Sequence, residues 1–538
     1  MERQSRGEEA SQVAVPAGTA TRVPRGHRAR IRRRTAVGVP ALVMLALGLW
    51  GLDRGGMWRD EAVSFQVGRR TVPQIWLLLH DVDAVHGMYY FLVHAVLAVH
   101  PGEVVLRLPS VCAAAVTAAL VAALGARLVR PRVGLWAGLL YAVAPMAGHY
   151  AQEGRSYALV AAGATGATLL FVRAVQGASG SWVAYGAVLG LTCWLHEFAV
   201  LLLCAHAGSL ALARVGGRVW RGWGCAAGAV VVSLVPMVLV SRGQAAQVAW
   251  LRRPTAITAE ELSRGFLGPS GGVYAVCLGL ASVGLAGLFG RRGEITLVGV
   301  ALPLTVAPPA VLMLASQASP LFVDRYVLYA LSGAPLLVAA GAERVAGVVG
   351  RLRPGGRTRH PLWHSPFVTL TGVFAVALAF LHQLPLLCAD RDPGARPDDL
   401  GAVSRVAARE LAPGDAVLFL PSQVRNVALA YPGAFRGARD VALAEGPAGS
   451  GTLYGREAGA RKVRRRMARL DRVWVVADPD LLVGRRLPRS RTERAELAVM
   501  RRDFTGEREI LRGGMAVRLY VRKPMEPSAP GRKPVRVG

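Results

Sequence analysis

The stretch His86-Gly87-Met88-Tyr89-Tyr90-Phe91-Leu92-Val93-His94-Ala95-Val96-Leu97-Ala98-Val99-His100 decides how the chain sits. It is apolar, yet as a helix it reaches only about 21 Å, against a bilayer core of about 30 Å. If it crossed, every later connection would change sides. Laid on the membrane surface, it leaves Arg127, Arg130 and Arg132 in the cytosol. The same side then receives Arg214, Arg218 and Arg221; Arg291 and Arg292; and Arg351, Arg353, Arg357 and Arg359. Short arginine-rich connections stay inside, so the surface placement is selected. Residues 53–108 become one long outer loop with amphipathic pieces near 73–80 and 86–100.

Composition agrees with a membrane protein. The chain is 53% hydrophobic, with a mean hydropathy of +0.36, which is too apolar for a soluble globule. The net charge of +30 is carried almost wholly by arginine, with lysine only at 462, 523 and 533. Charge placed in short gaps between apolar segments orients helices, so it does not argue for nucleic acid as a partner. Cys112, Cys193, Cys204, Cys225 and Cys277 fall in apolar segments and Cys388 just after the last one. Without CxxC spacing they read as small core residues, with no disulfide framework and no cysteine metal site.

The fold expected is mainly α: a polytopic membrane helical bundle of eleven spans. These are drawn at 36–52, 109–126, 133–149, 157–174, 181–196, 197–213, 222–241, 273–290, 295–315, 326–349 and 364–386. Residues 1–35 read as a disordered basic cytoplasmic tail. The first apolar segment lacks a cleavage signal and reads as an uncleaved anchor, with the N-terminus in the cytoplasm. An odd span count then places residues 387–525 outside the plasma membrane. In that region 400–411 reads as an amphipathic helix, 457–470 as a basic helix, and 416–420, 472–477 and 516–521 as strands of a small extracytoplasmic α/β domain. Residues 526–538 read as a loose tail.

With this topology the unusual polar residues gather at the outer face. They are Asp60-Glu61, His86, His149-Tyr150-Ala151-Gln152-Glu153-Gly154-Arg155-Ser156-Tyr157, His196-Glu197, Arg252-Arg253 in a loop over 242–272, and Asp324-Arg325-Tyr326. Arginine binds phosphate as a two-pronged donor and stays charged. A carboxylate beside it supplies a base. Together they suit one reaction: a sugar leaves a lipid phosphate and is attacked by a hydroxyl that Asp60 or Glu61 deprotonates. No P-loop or dinucleotide fingerprint is present. Each piece has a plainer account. Single arginines snorkel to headgroups, Trp250 and the tyrosines form an interfacial belt, and His196-Glu197 serves as a polar turn. A divalent metal on His86, His149, His196 and Glu197 is a further option, although no tight HxxxH or HExxH spacing supports it. Competing functions are a flippase for lipid-linked precursors, which would need charge at mid-bilayer depth, and a scaffold whose outer domain binds a partner.

The order of motifs is familiar: Trp-x-Asp-Glu at 58–61, His-Gly-x-Tyr-Tyr-x-Leu from 86, Gly-Glu-Val-Val-Leu-Arg-Leu-Pro-Ser at 102–110, Tyr-Ala-Gln-Glu-Gly-Arg-Ser-Tyr-Ala at 150–158, His196 and Asp-Arg-Tyr at 324–326. Over roughly residues 36–345 it resembles the GT-C superfamily of membrane glycosyltransferases. More narrowly it resembles the branch containing protein O-mannosyltransferases and the lipid A aminoarabinose transferase, in its actinobacterial mannosyltransferase-like form. The resemblance implies inverting transfer of mannose or another sugar from a polyprenyl-phosphate donor to a glycan, lipid or protein acceptor. It implies Asp60 as base, Glu61 beside it as support or acceptor binder, Arg155 and Arg325 near the lipid phosphate, and Arg107 in a structural role. His86, Tyr89, Gln152, Glu153, Tyr157, His196, Arg252 and Tyr326 complete the substrate-binding set. The chain carries His86-Gly87 where the family usually has a Pro pair.

Overall fold

A computed structural model describes residues 25–244, 250–352, 366–395 and 398–524. The expected tail at 526–538, most of that at 1–35, and Arg353, Arg357 and Arg359 lie outside these residues. The bundle opens with α1 (Arg25–Leu49), α2 (Arg59–Gly68), α3 (Val72–Asp81), α4 (Gly87–Leu97) and α5 (Glu103–Leu128). The part of the expected disordered tail from Arg25 to Thr35 is therefore helical, continuous with the apolar run. Next come α6 (Pro131–Val143), α7 (Pro145–Ala151), α8 (Tyr157–Val175), α9 (Ser181–Leu195), α10 (Leu202–Ala213) and α11 (Gly217–Gly243). The single span drawn at 133–149 is two helices, because Pro145 lacks the amide that would continue the first one and instead starts the second.

The remaining bundle helices are α12 (Ala256–Leu267), α13 (Gly271–Gly284), α14 (Leu297–Ala318), α15 (Ala334–Leu352) and α16 (Pro366–Asp390). α12 corrects the loop expected over 242–272; Thr255 caps it by accepting the Thr258 amide. The expected spans overlap helical residues, but those at 133–149, 197–213 and 326–349 are each divided between two helical segments. Six helices among the described residues are long and apolar enough to cross a membrane, or seven counting the bent pair Ala256–Leu267 and Gly271–Gly287. The segments Ala84–Leu97, Ser181–Leu195 and Glu197–Ala213 are apolar but shorter.

The C-terminal domain begins with α17 (Leu400–Glu410), β1 (Ala416–Leu420) and α18 (Asn426–Ala430). Its sheet also holds β2 (Arg439–Asp440); β3 (Leu443–Glu445) and β4 (Arg456–Glu457) make a separate pair with α19 (Pro447–Ser450) between them. Then follow α20 (Ala460–Met467), β5 (Arg472–Ala477), α21 (Pro479–Leu482), α22 (Arg491–Asp503), β6 (Phe504–Arg512) and β7 (Met515–Arg522). The main sheet runs β2-β1-β5-β7-β6, parallel across β2, β1 and β5 and antiparallel across β5, β7 and β6.

Alternation along the strands explains how this domain is attached. Leu418, Val473 and Val475 point to a core closed by Val463 of α20 and Leu497 of α22. Val417, Phe419, Trp474 and Val476 point the other way, into a core shared with Ala62, Phe65, Ile75, Leu78, Tyr89 and Tyr90 of α2–α4. The 53–108 insertion is thus one wall of the C-terminal domain. Hydrogen bonds pin the seam. The Met57 amide donates to Tyr431 Oη at 2.8 Å, Leu400 N–H to the Met57 carbonyl at 3.1 Å, and Asn426 Nδ2 to the Arg59 carbonyl at 2.9 Å. α2 carries Asp60 and Glu61 in its first turn, where the helix dipole favours them.

Glu496 of α22 is fully buried and neither carboxyl oxygen has a hydrogen-bond partner. Burial, aided by nearby Glu457, pushes it from 4.5 up to about 8. The folded state therefore favours the protonated acid. That contribution is complete below the unfolded value and is lost as pH rises through about 8. Glu496→Gln should raise the melting temperature at pH 9 and leave it unchanged at pH 4; an equal shift at both would exclude titration as the cause.

Candidate active site

Asp60 and Glu61 are neighbours on α2, and a helix turns successive side chains by about 100°, so they meet different surroundings. Asp60 keeps 29% of its side chain exposed, and its Oδ2 lies 3.5 Å from Arg325 Nη2. Glu61 is turned inward. Its two oxygens accept from Arg107 Nε and Nη2, both at 2.8 Å, and Oε1 also accepts the Gly154 amide at 2.8 Å. Glu61, read from sequence as a second catalytic acid, is instead a strut between α2, α5 and the 152–156 loop.

That loop delivers Arg155 to the cleft. Its Nη1 donates to Ser64 Oγ at 3.2 Å and its Nη2 to His86 Nε2 at 3.1 Å. Arg325 comes from a 3-10 turn, Asp324–Gly333, that leads into α15. Its Nε donates to Tyr157 Oη at 3.1 Å, and its guanidinium lies 5.8 Å from the ring centroids of both Trp58 and Tyr157. His196 sits in extended backbone between α9 and a short 3-10 turn. Its ring is 4.7 Å from that of Tyr326 and 6.1 Å from that of His86. Asp60, His86, Arg155, Tyr157, His196, Arg325 and Tyr326, far apart in sequence, therefore form one contiguous cluster. Tyr89 is buried within reach of the charges of Arg155, Glu61 and Glu153.

Two expected site residues are placed otherwise. Gln152 Nε2 donates to the carbonyls of Gly48 and Trp50 at 2.9 and 2.7 Å, so it caps the end of α1. Arg252 is exposed on the segment leading into α12, and among the described residues no hydrogen bond or ion pair ties it to the cluster. Of the metal option, His149 Nδ1 lies 2.6 Å from Asp390 Oδ1, and Glu197 accepts from Ser241 at 3.4 Å. These two do not converge with His86 and His196, and no group of three or more His, Cys, Asp or Glu among the described residues is placed to hold a metal ion.

Sequence reasoning had Trp58 only as a motif residue, without its place beside the Arg325 guanidinium, and missed Ser64 and Asp83. Ser64 stands four residues from Asp60, one helical turn away, a spacing that marks a shared face. Asp83 has a left-handed backbone (φ 57°), accepts from Tyr90 Oη at 2.7 Å and shapes the turn presenting His86.

The electrostatics are those of a cationic, neutral-histidine cleft. Burial, with Arg155, His196 and Arg325 nearby, holds His86 well below its usual range; burial and the same two arginines push His196 down to about 3. The neutral imidazole is thus favoured in both, and each serves as a hydrogen-bonding group. His86 Nε2 accepts from Arg155, which places its proton on Nδ1. Burial raises Glu153 to about 7, with Glu61 adding to the rise. Six buried polar atoms here have no protein partner: His86 Nδ1, His196 Nδ1, Tyr89 Oη, Glu153 Oε2, Arg155 Nε and Ser156 Oγ. Such groups are costly to bury unless something completes them. A hydroxyl-rich ligand with one anionic group matches that donor and acceptor set.

The sequence profile described as Dolichyl-phosphate-mannose-protein mannosyltransferase matches residues 87–241. No curated protein matches the chain in a sequence search. Among solved structures, ArnT from Cupriavidus metallidurans in the apo state superposes with a TM-score of 0.59 at 12% identity, covering 90% of this chain and 97% of that one. The same protein bound to undecaprenyl phosphate gives a TM-score of 0.53 at 13% identity, covering 90% and 98%.

Proposed function

We propose that this chain, whose fold is that of the GT-C superfamily of membrane glycosyltransferases, moves a sugar from a polyprenyl-phosphate carrier to an acceptor hydroxyl at the extracytoplasmic face of the plasma membrane. The N-terminus lies in the cytoplasm and the C-terminal domain outside. One observation carries the reading: a part-exposed carboxylate, Asp60, faces Arg325 with Arg155 alongside, in a cleft of unsatisfied polar atoms. ArnT holds undecaprenyl phosphate in a similar fold, which supports a prenyl-linked donor here.

The mechanism follows from charge. A phosphodiester donor enters with one negative charge and takes guanidinium contacts from Arg155 and Arg325, which loosens the Arg325 grip on Asp60. The acceptor oxygen attacks the anomeric carbon, its proton passes to Asp60, and the bond from that carbon to the phosphate oxygen breaks. The phosphate gains a second negative charge, and both arginines already face where it develops. His86, His196, Tyr89 and Glu153 offer hydrogen bonds to sugar hydroxyls. The sugar is mannose or another hexose or pentose, and the acceptor a glycan, lipid or protein.

Membranes carrying the chain, given a panel of polyprenyl-phosphate sugars and analysed by mass spectrometry for glycosylated product, test the reading. Product formed from one donor supports it; no transfer from any donor would favour the scaffold. Arg325→Lys keeps the charge but loses the planar fork and its stacking between aromatic rings. It should lower turnover about 10²-fold while the protein still inserts and melts normally. Unchanged turnover would remove Arg325 from the phosphate site.

A further inference from the structure

A second cationic site lies outside the cluster described above. A cleft of about 740 Å³ opens between α17, the β6–β7 turn and the residues that follow α16. Its walls carry Arg405 and Arg409, one helical turn apart on α17, with Arg512 facing from the turn. Its acid, Asp399, is largely committed: Oδ1 accepts the Ala402 amide at 2.9 Å and caps α17, and Oδ2 lies 3.8 Å from Arg405. Three guanidiniums thus face one engaged carboxylate.

The level of the cleft narrows the ligand. Arg391, at the end of α16, lies 4.7 Å from the Trp50 ring centroid and donates to the carbonyls of Leu47 and Trp50 at the end of α1. Of the two helices joined here, α16 is long and apolar enough to cross a membrane, so the residues that follow it emerge at headgroup level. Pro393 and Gly394, two and three residues further on, line the cleft, and so does exposed Leu511. The opening therefore lies beside lipid headgroups, with an apolar residue next to the arginines.

We propose that this cleft binds the phosphate of an anionic membrane phospholipid, seating the C-terminal domain on the bilayer surface. The proposal rests on the membrane placement given above and not on sugar transfer. Arginine forks match phosphate oxygens, and anionic leaflets attract such clusters within a Debye length.

The test uses the full chain in nanodiscs of phosphatidylcholine, with and without phosphatidylglycerol, followed by amide hydrogen exchange. Anionic lipid should slow exchange several-fold in α17 and the β6–β7 turn, and added salt should weaken that protection. The triple variant Arg405→Ala, Arg409→Ala, Arg512→Ala should lose it, while Arg436→Ala, an exposed arginine outside the cleft, should keep it. Equal exchange in both kinds of disc, or protection that survives the triple variant, would overturn the proposal. Equal protection by inorganic phosphate in neutral discs would also overturn it, assigning the cleft to a soluble anion. None of these readouts involves glycosyl transfer, so the two proposals stand or fall separately.

Discussion

Asp60→Asn is expected to reduce transfer from a polyprenyl-phosphate sugar by about 10²–10⁴-fold, the usual contribution of a positioned base. Asparagine keeps the size and can still accept a hydrogen bond from Arg325, but it takes no proton from the acceptor. Asp60 is part-exposed and sits at the start of α2, and among the described residues its one ion pair is the 3.5 Å pair with Arg325. The change therefore removes little packing, and the melting temperature should hold within about a degree or two of wild type, as surface changes do. Donor binding should persist or tighten, because the phosphate no longer competes with a carboxylate for Arg325. The measurement is turnover and donor affinity on the same preparation. Lost turnover with retained affinity assigns Asp60 to chemistry. Wild-type turnover would end the proposed mechanism, and joint loss of affinity and melting temperature would make Asp60 structural.

The membrane helices were legible because each rests on an apolar run, and the strands at 416–420, 472–477 and 516–521 because short runs of valine, leucine and aromatic residues stand there. β6 was not: Phe504–Arg512 is mostly polar and exposed, held by its antiparallel partner β7 and not by burial. The cluster of Asp60, Arg155, His196 and Arg325 could be anticipated because each ends or begins an apolar segment on the same predicted side. What no one-dimensional pattern conveys is direction about the helix axis. Asp60 and Glu61 look equivalent in the sequence, yet one faces a cleft and the other the interior. Gln152 and Arg155, three residues apart in one loop, likewise diverge to a helix cap and to the site. The seam between the 53–108 insertion and the C-terminal domain was also invisible, since it joins residues such as Asn426 and Arg59 that are hundreds of positions apart.

Breaking the Glu61–Arg107 pair should have the largest effect on stability of any single change in the chain. Both side chains are essentially inaccessible, at 1% and 0% exposure, and meet through two 2.8 Å bonds. Arg107 also donates to the carbonyls of Leu52 and Gly56, fixing the segment just before α2. Removing one partner strands a buried charge, which costs about 3–5 kcal/mol. Glu61→Leu and Arg107→Met should each lower the melting temperature markedly and reduce the folded yield in membranes. Combining Glu61→Leu with Arg107→Met removes both charges together, and apolar replacement of a whole buried pair is often near neutral. The double variant should therefore recover much of the lost stability, a coupling that only contacting residues display. Activity should not recover with it. Glu61 Oε1 also holds the Gly154 amide, and a side chain at 154 would press within 2.6 Å of Leu106, so the loop is fitted closely at this point. Without that anchor Arg155 loses its position against Ser64 and His86. Recovered folding with turnover still depressed would show Glu61 acting through the 152–156 loop. Recovered turnover would show that the pair serves packing alone. Additive losses in the double variant would contradict the buried pair itself.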